Sequence, residues 1–257
     1  GFSTLRTLNG SRRNRDARNN LLFEFLRFVK AMAPKAVMLE NVPGLSDKRS
    51  FRSYRSHLRK LGYKEENRVL NAADYGVPQR RRRLISVASR LGEVEFAPPA
   101  DKRITVRDAI GFLPSPGDNK DPLHETSQKR SDKILELISR IPKNGGSRTD
   151  LPRRQWLKCH KKCGGFKDVY GRMAWDDVGP TITGGCINPS KGRFLHPEQD
   201  RAITLREAAL LQGFPRDYKI SLSRGRFYAA DMIGNALPPE LIRRLASGVK
   251  LLVEAHS

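Results

Sequence analysis

Apolar positions in the first hundred residues alternate between a helical and a strand-like spacing. Residues 21–32 and 51–61 repeat apolar side chains every three or four positions, which predicts two amphipathic helices. The apolar runs at 36–39, 68–73 and 83–88 are short and bounded by turn formers, as is typical of buried strands. Helix and strand therefore alternate, which predicts an α/β fold whose first strand belongs to a parallel sheet.

The regular pattern weakens after residue 99 and returns near residue 204. Thr105 and Thr204 each begin a capping-box sequence, so we expect a short helix after each. Residues 114–192 are rich in Gly, Pro, Lys and Arg and show no long apolar period. We therefore expect an α/β domain over residues 1–113, a smaller loop-rich lobe over 114–192, and a segment over 193–257 that returns to the first domain.

The composition favours a nucleic-acid partner. The 257 residues are 38% hydrophobic, which is enough for one sizeable core and a smaller lobe. The formal net charge is +22, and the basic residues are spread along the chain. So many like charges repel one another and destabilise the folded chain. Such an excess is expected where the positive field serves to attract a polyanion. No apolar run approaches the ~18 residues of a membrane span, so we expect no membrane partner.

The three cysteines do not suggest a disulfide framework or a metal centre. An odd number without repeated spacing indicates a reducing compartment. Cys159, His160 and Cys163 are ligand-like, but no second Cys/His pair follows at zinc-site spacing. We therefore expect no bound metal.

The first predicted strand ends in a carboxylate and an amide. Glu40 and Asn41 follow its apolar run, and Pro43-Gly44 then turns the chain. Open α/β sheets place their chemistry at the carboxyl ends of strands, so Glu40 is predicted at the mouth of a site with Asn41 beside it. These residues alone also allow an ordinary polar strand end.

Three separated stretches resemble motifs of the DNA (cytosine-5) methyltransferases. They are Glu40-Asn41-Val42, the segment from Gln79 to Arg83, and a C-terminal block that contains Arg206-Glu207, Gln212-Gly213-Phe214-Pro215 and Gly234-Asn235. Their order matches the family over nearly the whole chain. The resemblance implies the C-terminal portion of a Rossmann-like methyltransferase sheet with a recognition lobe, S-adenosyl-L-methionine as cofactor and double-stranded DNA as substrate.

The resemblance also assigns catalytic roles. Glu40 would hydrogen-bond or protonate ring nitrogen N3 of cytosine, with Asn41 as its neighbour. Arg83 would orient Glu40 or bind the base carbonyl oxygen, and Arg81 would support the same loop. A solvated basic turn is the alternative for the segment that contains these arginines.

Further positions are implied for cofactor and DNA. Gly234 and Asn235 would lie on the cofactor side of the sheet, although a helix-capping turn is an equal alternative for Asn235. Ser3 and Gln79 are candidate DNA contacts. Within the lobe, Arg148, Arg172 and Thr183 are candidates for reading base edges in the major groove.

One departure from the family concerns the nucleophile. In the family, Gly-Phe-Ser directly follows a Pro-Cys-Gln that carries the catalytic cysteine, and here Gly1-Phe2-Ser3 opens the chain. Cys159, Cys163 and Cys186 match no such position. We therefore expect a fragment without the cofactor loop and the thiol, either truncated or completed by a second polypeptide.

Two other functional classes remain open at this stage. A catalytically inactive DNA-binding remnant would account for the charge and for the missing thiol. A general RNA-binding protein would leave Glu40, Gln79 and Asn235 without a role. The favoured methyltransferase hypothesis places the protein in the bacterial cytoplasm, associated with the nucleoid and with a restriction–modification system.

Overall fold

The computed structural model describes residues 21–118, 120–126, 130–162 and 168–256. The candidate DNA contact Ser3 and the thiol of Cys163 lie outside these residues. The described helices and strands are, in chain order, α1 Leu21–Met32, β1 Ala36–Asn41, α2 Arg49–Lys60, β2 Lys64–Asn71, β3 Arg82–Ser89, α3 Val106–Ile110, α4 Asp132–Arg140, α5 Lys158–Lys162, α6 Leu205–Leu211, α7 Arg226–Asn235 and α8 Pro239–Glu254. Short 3-10 turns occur between several of them.

The described strands form one sheet in the order β1-β3-β2. β3 is antiparallel to both neighbours, so β1 and β2 run in the same direction on either side of it. Among the described strands, the neighbour of β1 is therefore antiparallel and not parallel as the sequence predicted. Because β3 follows β2 after a connection without a crossover helix, the chain turns back and β3 enters the sheet antiparallel.

The chain forms two compact units whose boundaries differ from the predicted ones. One unit contains the described residues up to Asn71 together with Arg82–Pro99 and the chain from Ile242 onward, and the other contains Ala72–Arg81 and Ala100–Leu241. The segment that returns to the first unit thus begins at residue 242 and not at 193. The physical reason is that α3 packs against α6 within one core, which draws residues 100–113 and 193–241 together.

The first unit buries one side of α1 and α2. Leu22, Leu26 and Val29 are the buried residues of α1, and the rings of Phe51 and Tyr54 on α2 stack with centroids 5.7 Å apart. The apolar core of this unit comprises Leu22, Leu26, Val29, Val37, Leu45, Phe51, Tyr54, Leu58, Tyr63, Leu84 and Ala88. This packing fixes β1 and β3, the strands that carry Glu40 and Arg83.

The second unit is organised by helices α3, α6 and α7. Both predicted capping boxes are present, from Thr105 with Asp108 and from Thr204 with Glu207. Every residue of α6 is buried, which is typical of a helix surrounded by other elements. Its chain continues to Gly213, whose φ of 87° lies in the left-handed region that glycine adopts most readily.

Candidate functional site

Glu40 and Arg83 form an ion pair across the first unit's sheet. The register pairs Glu40 with Ile85, and Arg83 lies two residues earlier on the same face of β3. The two side chains are therefore diagonal cross-strand neighbours. Nε of Arg83 lies 2.8 Å from Oε1 of Glu40, and the two side chains retain 16% and 29% of their exposure. Arg83 thus lies at ion-pair distance from Glu40, and its orientation of Glu40 for catalysis stays a prediction.

Partial burial and the attraction to Glu40 act in opposite directions on the pKa of Arg83. Burial lowers the pKa of Arg83, while the charge and hydrogen bond of Glu40 raise it. Arg83 also donates from Nη1 to the carbonyl oxygen of Arg82 at 2.8 Å. The guanidinium is thus held at two positions.

Asn41 has a local backbone role. Its side-chain oxygen accepts a hydrogen bond from the N–H of Val42 at 2.9 Å. This bond shapes the turn after β1, and Pro43 begins a 3-10 turn directly afterwards. Asn41 therefore supports the conformation of the strand end that carries Glu40.

Gln79 is the centre of a buried hydrogen-bond network in the second unit. Its side chain is fully buried; Nε2 donates to the carbonyl oxygen of Leu211 at 3.0 Å and to Oε1 of Gln212 at 2.5 Å. Its Oε1 accepts from the N–H of Ile182 at 3.0 Å. The expectation that Gln79 contacts DNA is therefore wrong for this structure, because all these polar groups are directed inward.

Arg81 joins the same network. The side chain is buried, and Nη1 donates to the carbonyl oxygens of Ile182 at 3.0 Å and Gly234 at 3.1 Å. Gly234 lies directly against the backbone at Thr183, since a Cβ added to Gly234 would be 2.1 Å from the carbonyl carbon of Thr183. Arg81 thus supports the backbone at Ile182 and Gly234, and its support of the loop that carries Arg83 stays a prediction.

Gly234 and Asn235, the two candidate cofactor residues, differ in their surroundings. Gly234 is buried by the close approach of Thr183 and Gly184, which leaves no space for a ligand on that side. Asn235 is exposed at the end of α7, so its amide can meet a polar group of a cofactor. Of the two, only Asn235 suits direct contact with S-adenosyl-L-methionine.

The start of α6 holds a buried charged cluster. Glu207 accepts from Nη1 and Nη2 of Arg201, each at 2.7 Å, and from the N–H of Thr204 at 2.7 Å. Burial raises the pKa of Glu207, but the bonds and charge of Arg201 outweigh it, so the pKa is lowered. This cluster fixes the loop that precedes α6.

His196 lies beside that cluster in a neutral state. Nδ1 accepts hydrogen bonds from the N–H groups of Glu198 and Gln199 at 3.2 and 3.0 Å. Burial lowers its pKa to about 4, although the charge of Glu207 opposes this shift. Its ring meets that of Trp175 edge-on, with centroids 5.2 Å apart.

Arg172 is structural and does not read base edges, contrary to expectation. The side chain is fully buried and donates to the carbonyl oxygens of four residues, Ile138, Ile141, His196 and Gln199, at 2.6–3.1 Å. It also pairs with the carboxylate of Asp200. Burial lowers the pKa of Arg172 and Asp200 opposes the shift. The guanidinium thus connects loops of the second unit from within.

The other two lobe candidates have different surroundings. Arg148 is buried, with its guanidinium 5.0 Å from the ring centroid of Trp156, so the expectation that it reads base edges is also wrong for this structure. Thr183 is half-buried in the segment that covers Gly234. Thr183 therefore stays a candidate DNA contact.

Of the two described cysteines, Cys186 lacks the surroundings of a catalytic thiol. Cys186 is buried, and burial raises its pKa to about 12, so it is a thiol and not a thiolate at neutral pH. Cys159 is exposed on α5. Within the described residues, no group of three or more His, Cys, Asp or Glu side chains is arranged to hold a metal ion. No described helix is long and apolar enough to cross a membrane.

Sequence reasoning missed that Gln79 and Gln212 form one amide pair. A glutamine beside four arginines is typical of an exposed loop, and a contact between residues 79 and 212 has no signal in local periodicity. The groups that Gln79 contacts at Ile182 and Leu211 belong to the backbone. Every residue has such groups, so the sequence does not show which of them meet a side chain. Their partners are visible only in the folded chain.

The sequence and the structure both resemble methyltransferases. The profile of the family "C-5 cytosine-specific DNA methylase" matches residues 1–250. The Type II methylase M.HgiDII of Herpetosiphon aurantiacus is 38% identical over 248 residues, covering 91% of this chain and 70% of the relative. The Type II methyltransferase M1.HphI of Haemophilus parahaemolyticus is 35% identical over 241 residues, covering 91% of this chain and 61% of the relative. The chain therefore spans about two thirds of the length of these relatives.

A solved structure gives the same fold. An E. coli prophage protein assigned as a DNA modification methyltransferase superposes with a TM-score of 0.63 over 93% of this chain and 75% of its own, at 22% identity. This likeness shows the mixed α/β fold. The profile match and the 38% identical relative confirm the family implied by the sequence motifs.

The chain belongs to the C-5 cytosine-specific DNA methylase family. This family contains DNA cytosine methyltransferases, and its methyl donor is S-adenosyl-L-methionine, as the sequence motifs implied.

Proposed function

We propose that the protein acts in methyl transfer to carbon 5 of a flipped cytosine in duplex DNA. The observation that carries this proposal is the 2.8 Å contact between Arg83 and Glu40, which holds a carboxyl group at a strand end. The net charge of +22 supports a polyanionic substrate. A base inside the duplex is out of reach of such a pocket, and extruding it costs a few kcal/mol.

Glu40 is proposed to act at ring nitrogen N3. Carbon 5 of cytosine becomes nucleophilic when a thiolate adds at carbon 6, since the C5–C6 π electrons then enter an enamine system that extends to N3. Once it has taken up a proton, the Glu40 carboxyl group donates a hydrogen bond or that proton to N3 as the charge develops. Arg83 holds the Glu40 side chain in position through one oxygen. S-adenosyl-L-methionine would supply the methyl group, and transfer of the carbon-5 proton to a base would then expel the thiolate from carbon 6.

The thiol is not assigned to the described cysteines. Cys186 is buried with a pKa raised to about 12, and neither Cys159 nor Cys163 matches the family position. We propose that a Pro-Cys-Gln segment, supplied by the same polypeptide or by a partner polypeptide, provides the nucleophile and the Gly-rich cofactor loop. Among the described residues, Asn235 is the proposed contact to S-adenosyl-L-methionine.

The proposed biological setting follows from the relatives. Both curated relatives are Type II methylases, so we propose a role in a bacterial restriction–modification system, with DNA of the nucleoid as substrate. Thr183 and Ser3 are proposed DNA contacts. The second unit is proposed to select the target sequence.

Glu40→Gln in the full-length gene product tests the proposal. The amide keeps the size of the side chain but cannot donate a carboxyl proton, so methyl transfer to duplex DNA should fall roughly 10²- to 10⁴-fold while DNA binding is retained. Labelled methyl incorporation and a DNA-binding titration measure the two effects. Glu66→Gln, which changes an exposed carboxylate on β2, is the matched control. An unchanged rate for Glu40→Gln would remove this residue from catalysis.

A DNA-binding protein without catalysis is the second candidate function. The observation that favours it is the net charge of +22, which supports binding to a polyanion without requiring catalysis. In that case the full-length product binds duplex DNA with strong salt dependence but incorporates no labelled methyl group. Incorporation that depends on S-adenosyl-L-methionine would exclude this candidate.

A further inference from the structure

The exposed face of α2 carries basic side chains and no acidic ones. The twelve residues of this helix include four arginines and one lysine, without aspartate or glutamate. At 3.6 residues per turn, four exposed cations lie within an arc of about 100°. We call them the basic stripe, which comprises Arg49, Arg52, Arg59 and Lys60. The buried residues of the helix, Phe51, Tyr54 and Leu58, lie on its opposite side.

The charges of the basic stripe are not neutralised within the helix. Arginines on other helices of this protein pair with a carboxylate one turn away, Arg27 with Glu24 on α1 and Arg140 with Glu136 on α4. Among the residues that the structure describes, no carboxylate lies at ion-pair distance from a member of the basic stripe. The stripe therefore presents its full positive charge to solvent.

Part of this charge opposes the stability of α2. Side chains three or four residues apart are neighbours on a helix, and Arg52 follows Arg49 by three residues, so the two cations repel each other. Arg49 is also the first residue of the helix, where the helix dipole disfavours a cation. Arg59 and Lys60 lie in the last turn, where the dipole favours them. The dipole thus accounts for one end of the stripe but not for Arg49 and Arg52.

The basic stripe is separate from the Glu40 site. The core beneath α2 includes Val37 of β1 and its cross-strand partner Ala88 of β3, so α2 packs on that face of the sheet. Glu40 lies three residues after Val37, and its side chain therefore points to the other face. Nε of Arg55 lies 2.6 Å from the fully buried carboxylate of Glu65 on β2, which fixes α2 in place. The stripe is thus directed to solvent on the side of the sheet opposite Glu40.

We propose that the basic stripe binds backbone phosphates of duplex DNA, on a segment other than the base pair presented to Glu40. The helix from Arg49 to Arg59 is about 15 Å long, which matches the axial length of about four phosphates of one strand. The planar donor fork of arginine suits phosphate oxygens, and each phosphate that is neutralised releases counterions. This inference rests on the proposed DNA substrate, and it assigns a DNA contact to a surface of the first unit away from the reacting base.

The test measures the salt dependence of duplex binding for the full-length gene product and the variants Arg52→Gln and Arg59→Gln. The duplex alternates A and T, so it contains no cytosine that could occupy the Glu40 site. Loss of one phosphate contact should reduce the slope of log K against log salt by about 0.9, and the double variant should lose about 1.8. Arg27→Gln is the matched control, because it removes one exposed charge that is already paired with Glu24 on α1.

Circular dichroism and the urea midpoint verify that the variants fold. Glutamine and arginine have similar helix propensities, so the midpoint of Arg52→Gln should not fall below that of the wild type. Relief of the repulsion from Arg49 should raise it slightly. Arg59→Gln serves for the slope measurement if Arg52→Gln does not fold.

Methyl transfer to cytosine-containing DNA separates this inference from the proposed function. Wild-type slopes in the folded variants, together with methyl transfer by the wild type, would overturn the inference and leave the proposed function in place. A reduced slope in a product that transfers no methyl group would support the inference and contradict the proposed function. A slope that falls only for single-stranded RNA of the same length would assign the stripe to another polyanion and overturn the inference.

Discussion

Nε of Arg83 meets Oε1 of Glu40 at 2.8 Å because the antiparallel register of β1 and β3 makes the two residues diagonal neighbours on one face. In a parallel pairing of the same segments, the hydrogen bonds are slanted and the register is different. The corrected strand direction is therefore part of the reason that the carboxylate and the guanidinium meet. The pair is partly buried, so water and salt screen it less than an exposed pair.

Replacing Arg83 by Lys should weaken methyl transfer. Lysine keeps the positive charge but loses the planar fork that contacts both Glu40 and the carbonyl oxygen of Arg82. A charged hydrogen bond contributes about 1.5–3 kcal/mol, so we expect a loss of roughly 10- to 10²-fold in kcat. Single-turnover methyl transfer measures it, with Arg68→Lys on β2 as the control. Equal rates for Arg83→Lys and wild type would contradict an orienting role.

The amide pair of Gln79 and Gln212 should stabilise the second unit cooperatively. Gln79→Ala leaves the buried N–H of Ile182 without this acceptor, and Gln212→Ala removes the opposite amide. Each change should cost about 1–3 kcal/mol, and the double variant should cost less than the sum. Urea unfolding measures these losses. Gln155→Ala, at a half-buried position, is the control, and strictly additive losses would contradict the network.

Arg172→Met should destabilise the fold without changing the choice of DNA sequence. The guanidinium is the shared donor for Ile138, Ile141 and Gln199, and its loss leaves the carboxylate of Asp200 without this partner. We expect a cost of about 3 kcal/mol in the free energy of unfolding. The urea midpoint measures it, with Arg153→Met as the exposed control. A folded, equally stable variant with altered sequence preference would restore Arg172 to base recognition.

The neutral state of His196 predicts a loss of stability in mild acid. Burial lowers its pKa from 6.5 to about 4, so the unfolded chain binds more protons between these values. Stability is then full above pH 6.5 and decreases as the pH falls toward 4. The contribution of this single group is at most about 3 kcal/mol.

His196→Asn tests this pH dependence. The amide oxygen of asparagine can accept from the same backbone N–H groups that Nδ1 of His196 accepts from, but it does not titrate. The urea midpoint of His196→Asn should therefore change less between pH 7 and pH 5 than that of the wild type. His57→Asn, on the exposed side of α2, should leave the wild-type slope unchanged. Identical slopes for His196→Asn and wild type would assign the acid sensitivity elsewhere.

The sequence alone determined helices α1, α2, α3 and α6, the capping boxes and the family. Apolar spacing defined α2 and the strand segments, because these features depend on neighbours a few residues apart. The capping boxes at Thr105 and Thr204 were legible for the same reason. The order of three motifs was sufficient to identify the cytosine methyltransferase family, and Glu40 with Arg83 followed from it.

Only the tertiary structure decided strand direction, unit boundaries and the roles of the buried polar side chains. The apolar pattern of a buried strand does not show whether its neighbours are parallel or antiparallel. The position of β3 between β1 and β2 could therefore be learned only from the folded structure. Gln79, Arg148 and Arg172 have side chains typical of a DNA-binding surface, yet all three are buried. Whether such a residue contacts DNA or holds the protein together depends on carbonyl groups and rings from distant segments, and local sequence does not encode their positions.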